Sequence, residues 1–191
     1  MTFLLVAVVV IVTPGPDFAL TVRNAAVRGR AGGIATALGV VTGQAAWSLA
    51  TAAGVAALLL ASQTVFTALR LAGAAYLVYL GAVALRSAVR GTQRESPRRM
   101  PVRSPYAQGL LSNLSNPKMP VFFTSLLPQF GSTFAALALH GVAFAALTLA
   151  WLSGVAWAGG ALRVPVVRRA IDAVSGAVLV ALGFHLADER R

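Results

Sequence analysis

From Ala31 to Leu69, and again from Met119 to Leu162, the chain carries no charged side chain. A helix needs about 20 apolar residues to cross the ~30 Å hydrocarbon layer of a bilayer, and each run exceeds that length. With 58% hydrophobic and 11% charged residues, too few polar groups remain to cover a water-soluble domain of this size. The sequence reads as an all-α integral membrane protein.

Charges and prolines divide the chain into six crossings near residues 2–28, 34–61, 68–86, 106–128, 134–162 and 170–187. The connections are short, the largest being a polar Arg/Ser/Pro linker, so residues 1–191 are expected to form a single membrane domain. The first segment lacks a basic start and an A-x-A cleavage site before its break, which predicts that it stays as helix 1. Without cysteine, disulfides and thiolate metal sites are excluded.

The net charge of +11 reads as topology and not as nucleic-acid binding. Arg23, Arg28 and Arg30 follow helix 1, six arginines lie from Arg86 to Arg103, and Arg163, Arg168 and Arg169 precede helix 6. These are alternate connections, whereas Ser62–Thr67 and Gln129–Thr133 carry no charge. The positive-inside rule places the arginine-bearing side in the cytoplasm and both termini outside.

Two crossings are interrupted. TPGPD, Thr13 to Asp17, breaks helix 1, and NLSNPKMP, Asn113 to Pro120, breaks helix 4. Twelve helical residues rise about 18 Å, so the first break falls well inside the hydrocarbon. Proline lacks an N–H and clashes with the preceding turn, leaving backbone groups without helical partners. Such backbone is tolerated at depth only where it is buried in protein or lines a cavity.

Two features recur at nearly the same offset: Pro14 matches Pro117, and AYLVYLG (Ala75 to Gly81) matches AVLVALG (Ala177 to Gly183), identical at five of seven positions. This predicts two three-helix repeats, 1–88 and 104–187, joined by a cytoplasmic linker 89–103. An odd number of crossings in each repeat forces the second copy to be inverted.

A carboxylate at depth costs at least ~2.5 kcal/mol, so Asp17 should hold a proton or pair with an ammonium group. Its alternative role is a helix-start residue satisfying nearby amides. Lys118 lies near the pseudo-equivalent position and is expected close to Asp17; its alternative is snorkelling to the interface. Asn113, Ser115, Asn116 and Gln44 are candidates for a polar lining, with interhelical hydrogen bonding equally open to Gln44. Gly39 and Gly43 permit close helix approach, within the bundle or against a second copy as a homodimer. Tyr76 and Tyr79 share a face, either as packing residues or as substrate-facing aromatics. His140 and His185 are isolated from each other and the chain has no cysteine, so no metal or other cofactor is expected.

TPGPD, RGRAGGIATALGVVTG (Arg28 to Gly43), LAGAAYLVYLGAVALR (Leu71 to Arg86) and GLLSNLSNPKMPVFFTSLLPQF (Gly109 to Phe130) together resemble successive blocks of the LysE/RhtB family of amino-acid exporters. The resemblance spans essentially the whole chain. It implies a bacterial plasma-membrane exporter of amino acids or close derivatives, driven by a proton gradient or the membrane potential. It carries functional roles onto Thr13, Pro14, Gly15, Pro16 and Asp17, and onto Asn116, Pro117 and Lys118.

The scarcity of intramembrane acids favours small neutral amino acids such as threonine, homoserine or leucine over lysine or arginine, whose second cation would need its own partner. An inorganic cation exporter is the alternative, but its site would want several converging carboxylates or histidines. An intramembrane hydrolase using Ser153 and His185 lacks any supporting motif, and no enzymatic activity is expected.

Overall fold

The computed structural model describes residues 3–61, 63–90, 104–158 and 165–188. Among these described residues seven α-helices follow in chain order: α1 (Phe3–Val12), α2 (Pro16–Ala61), α3 (Gln63–Arg90), α4 (Pro105–Leu114), α5 (Lys118–Val121), α6 (Phe134–Ala158) and α7 (Pro165–Asp188). A π turn (Phe122–Leu126) and a 3-10 turn (Leu127–Phe130) connect α5 to α6. No strand occurs among the described residues. Helices satisfy their own backbone, the requirement that a hydrocarbon environment imposes on a chain of this composition.

α2 is two helices folded back on each other. Gly29 adopts φ 71° and ψ −178°, a region open essentially to glycine alone. Asn24 Nδ2 donates to Thr36 Oγ1 at 2.8 Å, although a straight helix would hold residues that far apart in sequence about 18 Å away from each other. The limbs 16–28 and 30–61 therefore form a hairpin with a one-residue turn. Arg30 stacks 4.3 Å from the Trp157 ring centroid, fastening the turn to the end of α6. Gly29→Ala is expected to cost about 1–3 kcal/mol through backbone strain, read as a lower Tm in detergent; an unchanged Tm would contradict the turn.

The sequence expectation differs at several boundaries. Arg28 and Arg30 lie in helix on either side of Gly29, not in a longer connection. α3 starts at Gln63, so the connection expected over 62–67 is mostly helix. Arg169 lies within α7, which begins at Pro165. Helix 4 is divided into α4, α5 and two turns of altered pitch. Most of the expected linker 89–103, and residues 159–162 of the fifth crossing, lie outside the described residues.

The return limb of α2 packs against both α4 and α6 through positions without side chains. A Cβ at Gly39 would overlap the Tyr106 carbonyl, one at Gly109 the Thr36 carbonyl, and one at Gly141 the Ser48 hydroxyl. Gly39 and Gly43 are thus used inside the bundle, where Gly43 faces Asn113. α3 and α7 pack on each other in the same manner: Gly81 faces Val180 and the Gly176 carbonyl, while Gly183 faces Val78 and the Ala74 carbonyl. These pairs run antiparallel.

An apolar core gathers Val6, Ala7 and Val10 of α1 with Phe122, Phe123 and Phe144. The Phe122 and Phe144 rings stack at 4.2 Å between centroids. Polarity is arranged opposite to a soluble protein: Asp17, Asn24, Gln44, Gln108, Asn113 and Asn116 are buried, while Leu4, Leu139, Val142, Trp157 and Phe184 are exposed. An apolar exterior around a polar interior is the pattern of a protein solvated by lipid.

Candidate functional site

The site is built where the two broken helices meet. α1 ends at Val12, and Thr13 makes the last bond of its turn, N to Val9 O at 3.0 Å. Pro14 and Pro16 bring no N–H to the interruption, so the carbonyls at the end of α1 need donors from elsewhere. Lys118 supplies them: its Nζ lies 2.8 Å from Val10 O and 3.2 Å from Thr13 O. A cation at a helix C-terminus also meets the negative end of the helix dipole. Gly15 lies against the lysine, a Cβ there standing 3.8 Å from Nζ in ordinary contact.

The second break answers the first. Asp17, in the first turn of α2, is 9% exposed and accepts three hydrogen bonds from around the end of α4. Ser112 Oγ donates to Oδ1 at 2.6 Å, Asn113 Nδ2 to Oδ2 at 2.9 Å, and Asn116 Nδ2 to Oδ2 at 3.1 Å. Asn116 also holds its own break together, its Oδ1 accepting from Lys118 N at 3.1 Å. Hydrogen bonds to a charged group contribute about 1.5–3 kcal/mol each, enough together to offset the cost of a carboxylate at depth.

The two opposite charges, expected near each other, are both gathered where the breaks cross. Each is held by the break from which it does not come. Pro14 is buried, while Pro16 and Pro117 are exposed beside the crossing. Gln44 lies next to Gly43, which backs Asn113, but its Nε2 reaches across to Thr148 Oγ1 on α6 at 3.2 Å. Gln44 Oε1 and Asn113 Oδ1 are buried acceptors without a hydrogen-bond partner.

Other candidates fall elsewhere. Ser115 donates to the Leu111 carbonyl and is exposed. Tyr79 is 59% exposed on α3; the side chains of Tyr76 and His185 lie outside the described residues. His140 packs edge-on to Phe3 and bonds the Ala136 carbonyl through Nδ1 at 2.7 Å. Ser153 lies on α6. Among the described residues no three His, Asp or Glu side chains group as a metal site.

Sequence reasoning missed Ser112 and the buried bridge in which Asn24 Nδ2 donates to Gln108 Oε1 at 2.9 Å. Ser112 directly precedes Asn113 at the start of the second interruption, which was the available signal. Lys118→Met is expected to leave the Val10 and Thr13 carbonyls without this donor, costing about 1–3 kcal/mol. The check is a lower Tm in detergent that Lys118→Arg partly restores; a wild-type Tm in the Met variant would contradict the capping role.

The comparisons with known proteins meet this description at the same segments. The model of the LysE type translocator family matches residues 8–190, spanning both breaks. An uncharacterized membrane protein of Pseudomonas aeruginosa is 36% identical, covering 97% of this chain and 93% of its own. The leucine efflux protein of Salmonella typhimurium is 33% identical over 80% of this chain and 77% of its own. The threonine efflux protein of Salmonella typhi is 29% identical over 97% and 95%. No solved structure matches the chain. With a polar crossing inside an apolar exterior, and a match running almost end to end, this membrane protein belongs to the LysE type translocator family.

Proposed function

We propose that the chain is a secondary active exporter of amino acids or close derivatives, with small neutral substrates such as threonine, homoserine or leucine preferred over lysine and arginine. The observation that carries this reading is the reciprocal hold of the two breaks, Asp17 on α4 and its end, and Lys118 on the end of α1. A zwitterion carries one cation and one anion, and the crossing offers one of each opposite sign. Its ammonium competes for Asp17 with the amides of Asn113 and Asn116, and its carboxylate competes for Lys118 with the carbonyls of Val10 and Thr13. Substrate binding then exchanges contacts between the breaks for contacts to itself, loosening the crossing.

A proton on Asp17 removes its charge and one acceptor site, so it competes with the ammonium group and offers a route to coupling. The three groups facing Asp17 are all donors, the arrangement for an anion and not for the oxygen cage that an inorganic cation requires. That chemistry favours the exporter of organic zwitterions over the cation alternative, and no catalytic role is assigned to any residue.

The architecture of this reading is six crossings in two inverted repeats in the bacterial plasma membrane, with the arginine-bearing connections in the cytoplasm and both termini outside. The α3–α7 contacts support it. Adding 102 to Gly81 gives Gly183, and the same offset carries Ala74 and Val78 to Gly176 and Val180, so each contact has its mate. Antiparallel, dyad-related helices would pair in this way. Rocking of one repeat against the other then exposes the crossing to each side in turn. A homodimer, if formed, uses surfaces other than Gly39 and Gly43, which are occupied by α4.

Expression of the chain in cells loaded with labelled amino acids tests the assignment. Faster loss of threonine, homoserine or leucine than in cells carrying an Asp17→Asn variant is expected. Equal loss in both would count against it.

A further inference from the structure

An apolar groove of about 400 Å³ runs between α1 and α6, lined by Val8, Ile11 and Val12 on one wall and Trp151, Gly154 and Ala158 on the other. Its size lies within the ~300–1,000 Å³ usual for small-molecule sites. Its α1 wall ends where the first break begins. Ile11 and Val12 directly precede Thr13, and Lys118 is bound to the carbonyls of Val10 and Thr13 on that same turn. Gly154 is unlike the glycines of the helix contacts: a Cβ at Gly33, Gly39, Gly43 or Gly141 would strike a neighbour, whereas one at Gly154 meets nothing within 4 Å. Glycine inside a helix costs about 1 kcal/mol relative to alanine, and here no helix packing offsets that cost.

We propose that this groove receives the side chain of the transported amino acid, that the substrate class is therefore aliphatic, and that Gly154 sets the size accepted. The inference rests on the exporter reading. An amino acid whose carboxylate meets Lys118 lies beside Ile11 and Val12, and its side chain has this groove to enter. The lining offers no carboxylate or other acceptor oxygen from a side chain to a second ammonium group. Its one polar group is the indole of Trp151, whose Nε1 is buried and unpartnered.

The test is uptake of labelled leucine and labelled alanine into proteoliposomes by the wild-type chain and by Gly154→Leu, which narrows the groove from its α6 wall. Leucine transport should fall about tenfold or more, the discrimination that small changes of volume in an apolar pocket give, while alanine transport is kept. If Gly154→Leu does not fold, Ala158→Leu on the same wall should show the same order. Unchanged leucine transport in a folded variant would mean that the groove is covered by lipid, and an equal loss of both substrates would mean a general block; either overturns the inference and leaves the exporter reading intact. A wild-type chain that moves no amino acid overturns both.

Discussion

Asp17→Asn should transport at about one hundredth of the wild-type rate or less, and the remaining activity should not respond to a pH gradient. The substitution keeps the size of the side chain but replaces an acceptor-only carboxylate with an amide, so one NH₂ group faces the donors Ser112, Asn113 and Asn116. A lost charge-assisted bond is worth about 1.5–3 kcal/mol, and ~2.7 kcal/mol corresponds to a hundredfold change in rate. Ser112→Ala removes one donor of three and leaves the charge, so its loss should be smaller than that of Asp17→Asn, and its response to a pH gradient should be kept. Initial rates in proteoliposomes, normalised to protein that elutes as a single species in detergent, separate these effects from misfolding. Wild-type rates and pH dependence in Asp17→Asn would remove the carboxylate from the mechanism.

A larger effect, on folding instead of rate, is expected at Gly39. Any side chain there overlaps the Tyr106 carbonyl and comes within 2.8 Å of Leu110 N. Backbone cannot yield as a flexible side chain can, so Gly39→Leu should cost at least about 3 kcal/mol and yield little folded protein. Gly54→Leu is the control, because a Cβ at Gly54 meets nothing within 4 Å. Folded yield and Tm in detergent should separate the two variants sharply. Similar behaviour would contradict the close crossing of α2 and α4.

The interruptions were legible because proline acts locally: TPGPD and NPK break their helices through a missing N–H, whatever surrounds them. The identities of the partners were not. Asp17 and Lys118 suggested mutual attraction, but which side chain reaches which group depends on the angle at which the breaks cross, and no spacing within either motif encodes it. Ser112 was one hydroxyl among many until α4 was placed against α2. The hairpin at Gly29 was hidden for a related reason. Arginines at 23, 28 and 30 suggested a connection, yet arginine is a good helix former, and helix continues up to the one residue whose φ forces the turn. The start of α3 was misjudged similarly, since the uncharged polar residues after Ala61 suit a helix end as well as a connection.

The central claim is that the crossing of the two breaks binds a zwitterionic amino acid and couples its movement to a gradient. Its most direct test is transport of a mixed panel of labelled amino acids by the wild-type chain in proteoliposomes, with and without an imposed pH gradient and membrane potential. The account predicts gradient-driven movement of one or a few neutral amino acids, with an added unlabelled substrate of the same class competing. Movement of no amino acid under either gradient would contradict it.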